Sequence, residues 1–252
     1  MKNSLDRVAS FPFYDRTVLV PLNEFARHMS RHQHIRISAF ATICDSHLGI
    51  FDFIDCGANL GLFSAQFTVY SNRVQKLTAI EPNPRLFPLL ESNLSNVRAA
   101  QIECLNAAVS DFEGQGRLVE PEDYPGGTHA MYLVDDPTGD IPVITLGTVL
   151  QYRTAANAAI KVDVEGAEVP TLCGAADAIR SLAGVVLFVE IHDGVLKRIG
   201  MSDVDMLAAI ETIRPFRWIN ASDGILVDSR FPVLEQVNLA HQCDLIGIGT
   251  QS

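Results

Sequence analysis

Short apolar runs recur along the chain, and each ends in a polar or glycine-bearing turn. Phe51-Asp52-Phe53-Ile54-Asp55 is followed by Cys56-Gly57-Ala58-Asn59-Leu60-Gly61, then by Leu62, Phe63, Phe67 and Val69 at the spacing of a half-buried helix. That pattern predicts a strand, a tight turn and a helix. Leu77-Thr78-Ala79-Ile80 reads as a second strand ending in Glu81, with Pro82 and Pro84 stopping it. Arg85 to Asn96 reads as a helix with Leu86, Leu89, Leu90 and Leu94 facing a sheet, and Ala99 to Val109 as a third strand and its exit. Ala159 to Val162 is a strand running into Asp163-Val164-Glu165-Gly166-Ala167-Glu168, and Val169 to Leu182 follows as a helix. Gly184 to Ile191 is a near-continuous apolar strand closing on Glu190, His192 and Asp193. A helix from Ser202 to Ile213 and two closing strands, Trp218 to Val227 and Cys243 to Gly249, complete the pattern. Strands apolar on both faces belong to parallel sheets covered by helices. The expected fold is therefore α/β, a mostly parallel sheet with helices on both faces.

Other stretches depart from this rhythm. Pro21 to Ala41 is expected to be helical, with Leu22, Phe25, Ala26 and Met29 on one face, so residues 1–50 form a helical extension ahead of a domain over 51–252. Arg27, His28, Arg31, His32, His34 and Arg36 make it the most cationic segment, read as a solvated basic face. His28 and His32 have the spacing of a metal pair, but no third ligand stands nearby. Residues 111–140 are rich in Gly, Pro, Asp and Glu and read as loops with an irregular hairpin. Long irregular stretches in compact domains are usually functional, so this one is the expected substrate lid. Leu146 to Ala156 reads as a further helix.

The 252 residues, 48% hydrophobic and 19% charged, suit one large globular domain with an extension. A formal net charge of −11 argues against non-specific nucleic-acid binding, because phosphate contacts need a basic face. No apolar run approaches the roughly 20 residues of a membrane span, and the first residues do not lead into a signal-peptide core. Cys44, Cys56, Cys104, Cys173 and Cys243 are odd in number and form no C-x-x-C pair, which reads as reduced thiols of a cytoplasmic protein.

The glycine turn carries the first chemistry. Glycine lets the backbone approach a ligand, and a helix N-terminus presents unpaired N–H groups to an anionic or zwitterionic group. Asn59 stands where a dinucleotide fingerprint has its middle glycine, and Asp55 would repel a pyrophosphate yet suit the cationic half of an amino acid. Glu81 lies roughly 20 residues beyond, at the position of a carboxylate that accepts both ribose hydroxyls. A ligand with an amino-acid end and a nucleoside end fits S-adenosylmethionine better than NAD. Asn106 and Ser110 fall where the chain would pass the base of that nucleoside. Ligands of parallel sheets bind beyond the carboxyl ends of the strands, so Asp55, Glu81, Asn106, Asp163 and Glu190 are expected around one crevice.

Together these residues resemble the FkbM family of S-adenosylmethionine-dependent methyltransferases. The resemblance rests on four motifs over roughly residues 50–195: Asp55 to Gly61, Glu81-Pro82-Asn83-Pro84, Lys161 to Glu168, and Val189-Glu190-Ile191-His192. It implies a Rossmann-like class I fold, with Asp55, Gly57, Asn59 and Gly61 around the methionine end of the cofactor. It further implies Glu81 on the ribose, Asn106 or Ser110 near the adenine, and O-methylation of a sugar or polyketide-type hydroxyl. The family's T-L-D-D stretch stands here as Thr145-Leu146-Gly147-Thr148, without its two carboxylates. An alcohol must lose its proton to attack a methyl sulfonium. His192 is the expected base. Asp163 and Glu190 holding a divalent metal is the less favoured alternative, and Glu165 and Glu168 read as helix-start residues. The competing readings are a non-catalytic binding subunit, supported by Gly147 and Thr148 alone, and an NAD-dependent oxidoreductase. The motifs leave the acceptor and the oligomeric state open.

Overall fold

A computed structural model describes residues 8–14, 16–21, 31–120, 131–239 and 241–250. The chain opens with β1 (Val8–Phe13) and β2 (Arg16–Pro21), a two-stranded antiparallel hairpin, then α1 (Arg31–Leu48). The first alternation follows as β3 (Phe51–Cys56), α2 (Leu62–Tyr70), β4 (Val74–Ile80), α3 (Phe87–Leu94) and β5 (Gln101–Leu105). Next come β6 (Ala108–Ser110), β7 (Gly114–Val119), β8 (Tyr132–Asp135), β9 (Ile141–Thr145) and α4 (Leu146–Gln151). The second alternation is β10 (Asn157–Val162), α5 (Glu168–Gly174), α6 (Ala176–Arg180), β11 (Gly184–His192), α7 (Asp193–Ile199) and α8 (Asp203–Glu211). The chain closes with β12 (Phe216–Asn220), β13 (Leu226–Val227), α9 (Val233–Gln236) and β14 (Gln242–Gly249).

The main sheet has eight strands in the order β13-β12-β14-β11-β10-β3-β4-β5. β11, β10, β3, β4 and β5 are parallel, and β14 is inserted antiparallel between β11 and β12. The order reverses between β3 and β10, and such a switch point opens a crevice at the strands' carboxyl ends. Both faces are covered, as the uninterrupted apolar runs require. Ile54, Ile160 and Leu187 pack on one face with Leu146, Leu172, Ile179 and Leu207 of the later helices. Phe53, Ala159 and Phe188 pack on the other with Phe40, Phe67 and Leu90. This is the Rossmann-like class I arrangement. Among the described residues, no helix is long and apolar enough to cross a membrane.

Three expectations are corrected. The N-terminal region is not simply helical: Pro21 ends a strand, and the helix runs from Arg31 to Leu48. Tertiary packing explains the helix, because Phe40 sits in an aromatic cluster with ring centroids 5.1 Å from Phe67 and 5.2 Å from Phe188. The leucine-bearing stretch 22–30, including His28, and the side chain of His32 lie outside the described residues. Residues 111–140 hold the expected hairpin, β7 paired antiparallel with β8, but not as an isolated loop feature: β6 and β9, which flank the stretch, join it in a four-stranded sheet, and 121–130 lie outside the described residues. The strand expected from Trp218 to Val227 is interrupted by a turn, where Gly224 N–H bonds Asn220 O at 2.9 Å, and resumes only at β13.

Phe40 is fully buried and holds α1 on the sheet. Phe40→Ala should cost about 3–5 kcal/mol in urea unfolding, the usual range for an aromatic deleted from a packed core. A loss under about 1 kcal/mol would mean that α1 is not seated there.

Candidate functional site

A cavity of about 800 Å³ opens at the switch point. That is within the range of small-molecule sites. Its floor is the glycine turn. Gly57 N–H and Ala58 N–H both donate to Ile80 O, at 3.0 and 2.9 Å, binding the turn to the end of β4. Gly57 has φ 79°, and a Cβ there would lie 1.8 Å from the Asp163 carbonyl oxygen. The glycine is thus demanded first by the neighbouring strand end. Asn59 adopts φ 51°, a left-handed conformation that Asn tolerates better than most residues, which explains its place where glycine was expected. Gly61, at φ 75°, lets α2 approach α3: a Cβ would lie 2.8 Å from Leu90 Cδ1.

Glu81 closes the turn from the other side. Its Oε2 accepts from Asn59 N–H and its Oε1 from Asn83 N–H, both at 2.8 Å. Each oxygen keeps a second lone-pair direction, the two a ribose diol would need. Burial pushes the Glu81 carboxyl up to about 7, against the pull of those N–H groups and of Lys161.

The residue that organises this end of the sheet is Lys161. Its Nζ donates to Gly57 O at 2.9 Å and lies 3.0 Å from Asp55 Oδ1 and 3.4 Å from Asp163 Oδ2. Burial alone would lower its proton affinity, but Asp55 and then Asp163 outweigh that and raise it. Asp55 Oδ2 accepts from Ser64 Oγ at 2.6 Å. Asp55 is fully buried and does not line the cavity, so it does not stand open to a ligand's ammonium as its position before the turn suggested. Its charge is matched by Lys161.

On the far side, Asp163, Glu190, His192, Gln242 and Asp244 line the cavity. Glu190 accepts from Gln242 Nε2, and Asp244 from Arg36 of α1. Burial first, then Asp163 and Asp244, hold Glu190 well above the usual carboxylate range. Asp244 is raised to about 6 by burial although Arg36 pulls it down. Arg36 is therefore no part of a solvated basic face. His192 is the N-cap of α7, its Nδ1 accepting from Val195 N–H at 3.3 Å. Glu168 accepts from Val164 N–H at 3.0 Å and from Gly166 N–H, shaping the β10–α5 loop.

Several expected residues are elsewhere. Asn106 and Ser110 do not line the cavity. Asn106 Nδ2 donates to Glu81 O at 2.8 Å and Pro82 O at 3.2 Å, bracing the turn from behind, while Ser110 Oγ donates to Asp111 Oδ1 at 3.3 Å. Ala107, Ala108 and Val109 border the cavity instead. Gly147 and Thr148 also lie outside it; Thr148 Oγ donates to Glu113, and its N–H to Thr145 Oγ at 3.0 Å. The missing carboxylates are thus no defect of the cavity, and the non-catalytic reading loses its support. Among the described residues, no group of three or more His, Cys, Asp or Glu side chains is arranged to hold a metal ion. Sequence reasoning missed Asp244 and Arg36 in the cavity. For Asp244 the only signal was a lone charge in an apolar strand, and Arg36 was hidden among the other cationic residues of its segment.

The Methyltransferase FkbM domain matches residues 55–214, more than half of the chain. The chain belongs to the FkbM family of S-adenosylmethionine-dependent methyltransferases. No curated protein matches it. Among solved structures it is similar to the plantazolicin methyltransferase BamL in complex with a triazolic desmethylPZN analog and SAH. That likeness has 12% identity, 91% of this chain, 89% of that one and a TM-score of 0.53. A SAM-dependent methyltransferase from Agrobacterium tumefaciens is similar at 9% identity, over 100% of this chain and 72% of that one, with TM-score 0.49. The Pyrococcus abyssi tRNA (uracil-54, C5)-methyltransferase in complex with S-adenosyl-L-homocysteine shows 11% identity over 96% and 44%, with TM-score 0.47. At these identities the likeness is one of fold.

This FkbM protein's cavity fits the family's cofactor on its own geometry: a carboxylate with two directions free, next to a turn whose helix N-terminus borders the cavity through Leu62 and Phe63. Two outcomes follow from these contacts. Ribose hydroxyls placed on Glu81 would favour its charged form, in which case S-adenosylhomocysteine binding should release up to about half a proton near pH 7 and almost none above pH ~9. Calorimetry in buffers of different ionisation enthalpy reads this, and Glu81→Gln should abolish it. In the free protein the sign is the opposite of a stabilising carboxylate: the raised Glu81 favours folding below about 4.5, and that contribution is lost as pH rises through about 7. Separately, Lys161→Met should cost on the order of 3–5 kcal/mol in chemical unfolding, because it leaves Asp55 buried and unmatched. A loss below about 1 kcal/mol would show that the Asp55 charge is balanced elsewhere.

Proposed function

We propose that this protein transfers a methyl group from S-adenosylmethionine to a hydroxyl of a sugar, glycan or polyketide-type product, with Glu190 taking the hydroxyl's proton. When bound, S-adenosylmethionine supplies a methyl group on a sulfonium and leaves as S-adenosylhomocysteine. The turn from Gly57 to Gly61 would hold its amino-acid end, and Glu81 its ribose. Ala107 and Ala108 would flank the adenine, in place of Asn106 and Ser110.

The observation that carries the base assignment is Glu190 itself, a half-buried carboxylate lining the cavity whose proton affinity is raised by desolvation first, then by Asp163 and Asp244. A carboxylate in that state is a stronger base than one in water. His192 is less suited. While Nδ1 accepts from Val195 N–H, a neutral ring carries its proton on Nε2 and has no lone pair to offer. Asp163 supports rather than competes, since it lies beside Lys161. Leu118 and Leu133 of the small sheet, with Met131 just before β8, would supply an apolar border for the acceptor, in the region read as a lid.

Labelled methyl uptake over a panel of glycans and hydroxylated metabolites tests the reading directly. On an accepted substrate, Glu190→Gln should lower turnover by roughly 10²–10⁴ and leave S-adenosylhomocysteine affinity within about twofold. His192→Ala should lower it less than about tenfold and cost about 1 kcal/mol of stability through the lost cap. Because Glu190 acts ionised, activity should rise with pH through a midpoint above the ordinary carboxylate range. A nearly silent Glu190→Gln, with activity lost to EDTA and restored by Mg²⁺, would instead favour metal assistance through Asp163.

A further inference from the structure

Glu190 and Asp244 stand at one level on two neighbouring strands, and Asp163 follows the end of a third. Val162 is level with Val189, so Asp163 follows beside Glu190, and Glu190 is directly opposite Asp244 across β11 and β14. Alternate strand residues share a face, so Glu190 lies on the side of Phe188, and Asp244 on the side of Ile246. Both Phe188 and Ile246 belong to the cluster that receives Phe40 of α1. Arg36 precedes Phe40 by one helical turn, so the packing that seats Phe40 delivers a guanidinium to Asp244.

The three carboxylates are partnered differently. Asp163 has Lys161 at 3.4 Å. Asp244 has Arg36. Glu190 has the neutral amide of Gln242, its one hydrogen bond among the described residues. Two facing carboxylates, one buried and one half-buried, resist ionising together, and a fixed cation decides which of them holds the charge. Arginine stays protonated at every working pH, so the decision is permanent.

We infer that Arg36 and Asp244 are positioning residues that leave Glu190 as the carboxylate to receive the acceptor's proton. The inference rests on the reading of Glu190 as the base. Arg36 keeps the charge on Asp244, and that charge, opposite Glu190, makes proton capture by Glu190 more favourable. Other groups also face Glu190: Asp163, just past β10 and paired with Lys161, raises its proton affinity more than Asp244 does, Glu165 and Glu168 of the β10–α5 region raise it less, and His192 caps α7 two residues along the same strand. Asp244 is the one of these directly opposite Glu190 in the strand register, and its charge is fixed by Arg36. A helix outside the alternating core would thereby complete the chemistry of the cavity.

The test is a carbon-13 NMR titration of the full chain labelled at its Asp and Glu carboxyl carbons, with signals assigned by Glu190→Gln and Asp244→Asn. Asp244→Asn should lower the Glu190 midpoint by at least about one pH unit, a tenfold loss of proton affinity. Arg36→Met should raise the Asp244 midpoint by a similar amount, and Arg36→Lys should restore most of it. An unmoved Glu190 midpoint in folded Asp244→Asn, or an unmoved Asp244 midpoint in Arg36→Met, would overturn the inference. Near-UV circular dichroism checks folding, and the Arg36 variants keep the test open if Asp244→Asn does not fold. The titration needs neither cofactor nor acceptor. Shifted midpoints with a fully active Glu190→Gln would remove the base assignment while leaving the charge arrangement intact.

Discussion

The structure depends on one buried charge arrangement, Lys161 between Asp55 and Asp163. Neighbouring strand ends at a switch point must come close to make a crevice, and close strand ends gather carbonyls and carboxylates. Without a cation between them, Asp55 would stand buried and unmatched, with the half-exposed Asp163 carboxylate at the cavity edge beside it. Lys161 resolves this from its position opposite Asp55 in the strand register, and it also binds the Gly57 carbonyl. The glycine turn is thereby tied to β10, and through Gly57 and Ala58 to β4. The turn that faces the ligand is therefore held before any ligand arrives, which limits the ordering cost of binding.

The cavity divides its carboxylates by what balances them. Asp55 is matched by a lysine and serves the fold. Glu81 is held by two backbone N–H groups, so a ligand's hydroxyls can still reach its outer lone pairs. Glu190 has a neutral donor alone, and it is the group with most to gain from a proton. Similar residues at similar strand ends thus take different roles, and the difference lies in their partners rather than in their type. The same logic applies to Asn106, expected near the adenine, and His192, expected as the base: in the fold one braces the Glu81 turn and the other caps a helix.

The N-terminal helix connects fold and site. Phe40 enters an aromatic cluster with Phe53, Phe67 and Phe188 on the face of the sheet opposite the later helices. One turn earlier, Arg36 reaches the end of β14. An ion pair in this setting is held by the packing beneath it, since a free arginine would lose rotamer entropy on docking.

By itself the sequence determined the alternation of strands and helices, the switch-point turn and the family, because these follow from local signals. Apolar runs of strand length, Gly57 and Gly61 before a helix, and Lys161 to Glu168 are each contained in a few consecutive residues. Glu81 too was legible, because its distance from the turn is a property of one β-α-β unit. What only the tertiary structure decided involves residues far apart in the chain. Asp55 was enclosed by a lysine 106 positions away, and Arg36 met Asp244 across 208 positions. The small sheet of β6, β7, β8 and β9 was hidden because its pairings cross glycine- and proline-rich sequence with weak alternation. Local pattern specifies which face a residue shows, but a charge takes its role from whatever partner the folded chain places opposite it.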